Sequence, residues 1–389
     1  MMADFPAAPV LEALKALVQK IGEMERFPGH RSNPAKENVE VTQEDLDQKN
    51  KLLDELRSDL LPSIKHELKA LLEELDPPHN SSQCPNPNVE MTLDTLSKLD
   101  QAMQKSLQYI NCAPLVPLKP THAHDHHFKR CKAFRLWDLS IRMMWLKSHL
   151  HSLFWCYIRC PNLRKPRSSH SEDLKYRAPT PRDETARCLN YIDNTIRCSQ
   201  ATDFALFQLR WKSVAEAFDK SLASLANLTS PHQRNNTILK RRLVKQARLA
   251  VPVFKLLRTL FAKISNMTTQ KLPFALDTEL NSDTLHKLDE DPGVIIFACQ
   301  VHVKCLEKRY KYNFATDTSR SLRDRNERLS RNVDSYVFLL ALHIIPSSPN
   351  IDHSSLQNDF KAWLSEWQCL WQTAKDRLLA AMCVPEEED

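Results

Sequence analysis

Apolar residues recur at intervals of three and four along nearly the whole chain, the spacing that gathers one side of an α-helix into a stripe. Val10, Leu14, Leu17, Ile21 and Met24 form the first stripe, which ends at Phe27, Pro28 and Gly29. After a polar stretch, Thr42 followed by Asp45 is a weak variant of the capping box. Leu46, Leu53, Leu56, Leu60, Ile64, Leu68, Leu71 and Leu75 then predict a long helix that bends or restarts at Pro62, where a backbone N–H is missing. A third helix is predicted from about Glu90 to Ile110. A fourth, from about Asp125 to Arg159, carries Phe134, Trp137, Ile141, Met144, Leu150 and Phe154, and its aromatic content predicts a deeply packed element. Residues 161–180 are polar, basic and proline-interrupted, the composition of a loop.

Thr180, Pro181 and Asp183 make the best helix start in the chain: a hydroxyl to cap, proline at the first helical position and a carboxylate near the positive end. The helical period then runs through Phe204, Phe207, Trp211, Phe218 and Leu225, either unbroken or with a break near Thr202. Unbroken, it is a rod of more than about 60 Å at 1.5 Å per residue, long enough to link two bundles. Ser230 and Pro231 are expected to begin the next helix, bent at Pro252, and the stretch after Asn266 reads as irregular. Residues 294–303 (VIIFACQVHV) have the β-branched content of a strand, but the helical continuation LEKRYKYNF and the lack of a partner strand favour a helix, with Gly293 at its start. Leu322 to Ile344 and Leu356 to Ala381 supply the last two. Trp363, Trp367 and Trp371 step by four along one face and read as core. The expectation is an all-α protein of about nine or ten long amphipathic helices in two antiparallel bundles. A leading helix occupies residues 1–30, an N-terminal bundle 43–227 and a C-terminal bundle 229–385, with the helix from Pro181 to Asn227 shared.

Composition supports that class and removes several chemistries. Only Gly22, Gly29 and Gly293 occur in 389 residues, where ordinary usage would place roughly 27. Phosphate-binding glycine loops and nucleophile elbows are therefore absent. No glutamate has a histidine three residues on, which removes the di-iron bundle pattern, and His66 and Glu67 have Ala70 where a zinc protease needs its second histidine. His122, His124, His126 and His127, with Cys131, are the one local cluster of metal-ligand type; a helix there would put His127 and Cys131 on one face. No second pair stands at a conventional spacing, so no metal, cofactor or catalytic residue is assigned and no enzyme is expected. Eleven cysteines read as reduced thiols. MMADFPAAP lacks the basic start and apolar stretch of a signal peptide, and no run is apolar enough to span a membrane, so a cytoplasmic or nuclear address is expected.

Net charge is +6, but it is segregated: −6 over residues 1–120, +18 over 121–272 and −6 over the remainder. Lys129, Arg130, Lys132, Arg135, Arg142 and Lys147 crowd one predicted helix, and Lys240, Arg241, Arg242, Lys245, Arg248, Lys255 and Arg258 another. Such cations either steer an acidic partner or are neutralised by the acidic ends.

Residues 48–77 (QKNKLLDELRSDLLPSIKHELKALLEELDP), 124–139 (HDHHFKRCKAFRLWDL) and 210–225 (RWKSVAEAFDKSLASL) resemble a lineage-expanded family of helical rust-fungus proteins. The resemblance implies a helical fold and no activity. The run of long amphipathic helices is also similar in style to vinculin-like and cyclin-D-binding helical proteins, a likeness of fold alone. The leading functional expectation is a non-catalytic intracellular adaptor or regulatory protein with another protein as partner. The alternative is a binder of nucleic acid or a phosphorylated ligand through the basic helices of residues 129–147 and 240–258, with nucleic acid the less favoured partner. No membrane partner is expected, and the oligomeric state is not legible.

Overall fold

A computed structural model describes residues 8–23, 41–75, 88–112, 124–159, 179–230, 237–265, 274–276, 279–312, 318–346 and 353–382. The fold is all-α, and the chain divides into two compact units at Gln200/Ala201. Among the described residues there are eleven α-helices, or ten if the two joined at Leu56–Leu60 are taken as one rod.

The first unit opens with α1 (Ala8–Glu23), whose Val10, Leu14, Leu17, Val18 and Ile21 are buried. The leading helix is thus part of the first core and not a separate segment. In α2 (Gln43–Glu55), Thr42 Oγ1 accepts from the Asp45 backbone N–H at 3.2 Å, and the Asp45 carboxylate accepts from the Thr42 N–H at 3.0 Å. The rod then winds as one π-helical segment, Leu56–Leu60, before continuing as α3 (Leu61–Leu75). Pro62 has no N–H to offer the Ser58 carbonyl, and the wider turn just ahead of it absorbs the mismatch.

After α4 (Val89–Cys112) the structure departs from the predicted fourth helix. Residues Asp125–Cys131 form a 3-10 segment in which Lys129 adopts φ 52° and ψ −111°, and α5 (Ala133–Arg159) begins anew. The buried Asp125 carboxylate accepts from the Ala133 N–H at 2.8 Å and so caps the new helix. The aromatics of α5 are not all packed: Phe134, Phe154 and Tyr157 are buried, whereas Trp137, Trp145 and Trp155 are 38%, 54% and 40% exposed.

In α6 (Pro181–Gln200) Thr180 Oγ1 accepts from the Asp183 N–H at 3.1 Å and Asp183 accepts from the Thr180 N–H at 3.3 Å, the start its residues predict. Helix α1 packs on α4 and α5, α3 on α4 and α6, and α5 on α6, enclosing a core that includes Ile64, Leu68, Leu99, Leu150, Phe154 and Ile192. Ion pairs bridge the rims: Lys20 to Asp100 at 2.6 Å, Lys65 to Asp193 at 2.5 Å and Lys105 to Glu55 at 2.6 Å.

Thr202 ends the idea of a shared rod. Its Oγ1 accepts from the Ala205 N–H at 3.2 Å and starts α7 (Asp203–Thr229), so the boundary lies near residue 200 and not near 228. Helix α8 (Ile238–Ile264) is capped by Thr237, whose Oγ1 accepts from the Lys240 N–H at 3.2 Å, and carries Pro252 inside it. The expected start at Ser230 and Pro231 is displaced; residues 231–236 lie outside the described set. The rest is β1 (Phe274–Leu276), α9 (Ser282–Tyr312), α10 (Thr318–His343), β2 (Ile344–Pro346) and α11 (His353–Met382). Strands β1 and β2 pair antiparallel with Ala275 opposite Ile345, where an irregular stretch and a helix end were expected. Residues 294–303 are helical as predicted, but Gly293 and Pro292 lie within α9 and not at its start.

Aromatic rings fill this second core. Phe218 stacks on Phe261 with centroids 6.1 Å apart and meets Phe254 edge-on at 6.0 Å. Of the three tryptophans expected in the core, Trp367 and Trp371 are buried and stacked at 5.6 Å while Trp363 is half-buried; the Trp367 and Trp371 indole N–H groups donate to Leu256 O at 2.9 Å and Asp334 Oδ1 at 3.0 Å. Arg210 of α7 pairs with the Asp289 carboxylate of α9.

Candidate anion-binding surfaces

The histidine cluster does not assemble. His124, His126 and His127 are exposed, while Cys131 is fully buried and donates to Asn50 Oδ1 at 3.6 Å, so the 3-10 winding parts His127 from Cys131. Burial pushes the Cys131 thiol pKa up. His122 lies outside the described residues. Among the described residues no group of three or more His, Cys, Asp or Glu is placed to hold a metal.

The basic residues of 129–147 do not form one open face. Lys129 is exposed at the strained bend, Lys132 and Arg135 are buried, and Lys147 is half-buried, with its pKa lowered by burial. Arg130 holds the Asp54 carboxylate with two nitrogens at 2.7 and 3.3 Å, and that hydrogen bond lowers the Asp54 pKa. Arg57 reaches the same carboxylate at 3.0 Å, Arg135 Nη2 donates to Ser199 O at 3.2 Å, and Arg142 Nε donates to Asp138 at 2.8 Å.

These arginines nevertheless converge. Arg57, Arg130, Arg135 and Arg142 line a half-open cavity of about 30 Å³ with Asp138, Ser199 and Cys198 and a floor of leucines. Arg57 comes from the π-helical segment, Arg130 from the 3-10 segment, Arg135 and Arg142 from α5, and Ser199 from the last turn of α6. Charge clustering in the sequence pointed to Arg130, Arg135 and Arg142. Arg57 and Ser199 carried no signal, because only packing brings their helices alongside α5.

Residues 240–258 behave differently. Arg241, Lys245, Arg248 and Lys255 are all exposed and step by four, three and seven along one side of α8. Among the described residues none of the four has an ion-pair partner. The stripe spans about 21 Å at 1.5 Å per residue. Arg242 is half-buried, the Lys240 ammonium lies 5.2 Å from the Tyr310 ring centre, and Arg258 is neutralised by Asp219 of α7 at 2.5 Å. The described cations of these two stretches are therefore split between paired arginines and an open cationic stripe.

No described helix is long and apolar enough to cross a membrane. Residues 49–200 match a domain of unknown function (DUF8723) and residues 202–380 match a second domain of unknown function (DUF8721). The two matches meet where the two compact units divide. No curated protein and no solved structure matches the chain.

Proposed function

We propose that this chain is a non-catalytic intracellular interaction protein that docks an acidic surface of a partner protein along the outer side of α8. The observation that supports this reading is the stripe of Arg241, Lys245, Arg248 and Lys255, exposed together without ion-pair partners among the described residues. Four cations along one helix suit an acidic protein segment. Binding to duplex nucleic acid would instead rest on counterion release from the phosphates and fall steeply with salt. The described cysteines are free thiols, which fits a reducing compartment such as the cytoplasm or nucleus.

The test titrates the full chain with a fluorescent polyglutamate peptide and, separately, with a duplex oligonucleotide of equal charge. The peptide is expected to bind more tightly, and the charge reversals Arg241→Glu and Arg248→Glu together are expected to weaken it at least 10-fold with helix content unchanged. Tighter binding of the duplex, with affinity falling steeply as salt rises, would favour nucleic acid and end this reading. Indifference of both probes to the reversals would also end it.

A further inference from the structure

The arginine-lined cavity belongs wholly to the first unit and has a chemistry of its own. Four guanidinium groups and one carboxylate, Asp138, form its charged wall, and Leu53, Leu56, Leu61, Leu136 and Leu139 form its apolar floor. An apolar floor lowers the local dielectric and strengthens any charge-assisted hydrogen bond made there. Two of the arginines keep donors in reserve. Arg142 uses Nε on Asp138 and Arg57 uses Nη2 on Asp54, while both terminal nitrogens of Arg142 and the Nη1 of Arg57 bond to no described protein group. Arginine presents its nitrogens as a planar fork that matches the oxygens of a phosphoryl group.

Two backbone irregularities border the same cavity. The π-helical segment Leu56–Leu60 contributes Leu56 and Arg57, and Arg130 follows directly on Lys129, the single described non-glycine residue at positive φ. Such irregularities cost stability and concentrate where a ligand is held. The volume also selects. In a measure where one water needs about 10–15 Å³, 30 Å³ corresponds to two or three water-sized groups, the scale of the terminal oxygens of one phosphoryl group.

We propose that this cavity, walled by Arg57, Arg130, Arg135 and Arg142, is a binding site for a single phosphate-monoester or inorganic phosphate dianion. The charge of about −1.5 to −2 on such a group at neutral pH meets the excess of wall cations. The free anion and a phosphorylated side chain share this chemistry, and the half-open mouth leaves room for the carrier of either.

The experiment titrates the intact chain with inorganic phosphate, with a phosphoserine peptide and with the unphosphorylated peptide, read by calorimetry and by phosphorus NMR. Saturable one-site binding of phosphate or phosphopeptide is expected, with no binding of the unphosphorylated peptide. Preference for the peptide identifies a phosphorylated chain as the source, and equal or tighter binding of phosphate identifies the free anion. Arg142→Gln is expected to weaken binding at least 10-fold, but it also breaks the part-buried Arg142–Asp138 ion pair and threatens the fold. Arg57→Gln, at a side chain 29% exposed, decides the matter: a loss of roughly 10-fold with unchanged unfolding supports the site. Arg248→Glu on α8 is expected to leave the titration unchanged, which separates this site from the docking stripe. The proposal is overturned if neither phosphate species saturates, if Arg57→Gln binds as the parent does, or if Arg248→Glu weakens binding as much as Arg57→Gln.

Discussion

Arg142 donates through Nε to the Asp138 carboxylate at 2.8 Å across one turn of α5, and only 16% and 9% of the two side chains are exposed. Burial works against the Arg142 charge, and the attraction and hydrogen bond of Asp138 more than offset it, leaving the Arg142 pKa raised. Removing one partner strands a buried charge. Asp138→Asn is expected to lower the unfolding free energy by about 3 kcal/mol, whereas the paired replacement Asp138→Leu with Arg142→Met is expected to recover the share of that loss due to the stranded Arg142 charge. Urea unfolding followed by circular dichroism reads both; equal stability of Asp138→Asn and the parent would show that the pair carries no weight.

His302 makes the second unit sensitive to acid. Burial lowers its pKa from 6.5 to about 4. Its Nδ1 lies 3.2 Å from Asn326 Nδ2, in hydrogen-bond contact. Above pH 6.5 the ring is neutral both folded and unfolded and contributes nothing to the pH dependence. Between pH 6.5 and about 4 the unfolded chain binds the proton and the native ring does not, so stability falls by up to about 3 kcal/mol across that window. His302→Gln is expected to flatten this part of the stability profile relative to the parent, and parallel profiles would count against the assignment.

Lys129 at φ 52° occupies backbone space that glycine enters freely. Lys129→Gly is expected to raise the unfolding free energy by roughly 1 kcal/mol, the relief of strain exceeding the entropy glycine adds to the unfolded chain. A Tm below that of the parent would show that the lysine side chain contributes more than its backbone costs.

Thiol chemistry reports on packing. Cys369 is exposed, whereas Cys188 and Cys299 are buried; burial pushes the Cys188 pKa up to about 12 and raises that of Cys299 further. Iodoacetamide at mildly alkaline pH is expected to modify Cys369 in the native chain and to reach Cys188 and Cys299 only on unfolding. Mass spectrometry of the peptides reads the order, and early labelling of Cys188 would contradict the core of the first unit.

Much of this was legible because helix formation is local. Three-and-four spacing placed nearly every α-helix, and Thr180 with Asp183 announced the start of α6, since a cap is a contact across a single turn. Trp367 and Trp371 read as core because a stripe at that spacing must face something apolar. The departures fall where contacts between distant segments overrule the local pattern. The π-helical turn before Pro62, the break at Lys129 and the three-residue pairing of β1 with β2 are too short to leave a period. Lys129 takes a backbone conformation that its own residue type disfavours.

The sequence by itself determined the helical class and the concentration of positive charge in the middle of the chain, because both follow from the order of residue types. It could not say that α6 and α7 belong to different units, since an unbroken helical period looks the same whether or not Thr202 restarts it. Nor could it sort the cations. Arg241, Lys245, Arg248 and Lys255 stay open on α8, while Arg130 pairs with Asp54 nearer the surface and Arg142 sinks against Asp138, beside Arg57. Pairing of that kind depends on which helices lie side by side. That arrangement comes from packing many apolar contacts at once, and only the tertiary structure records it.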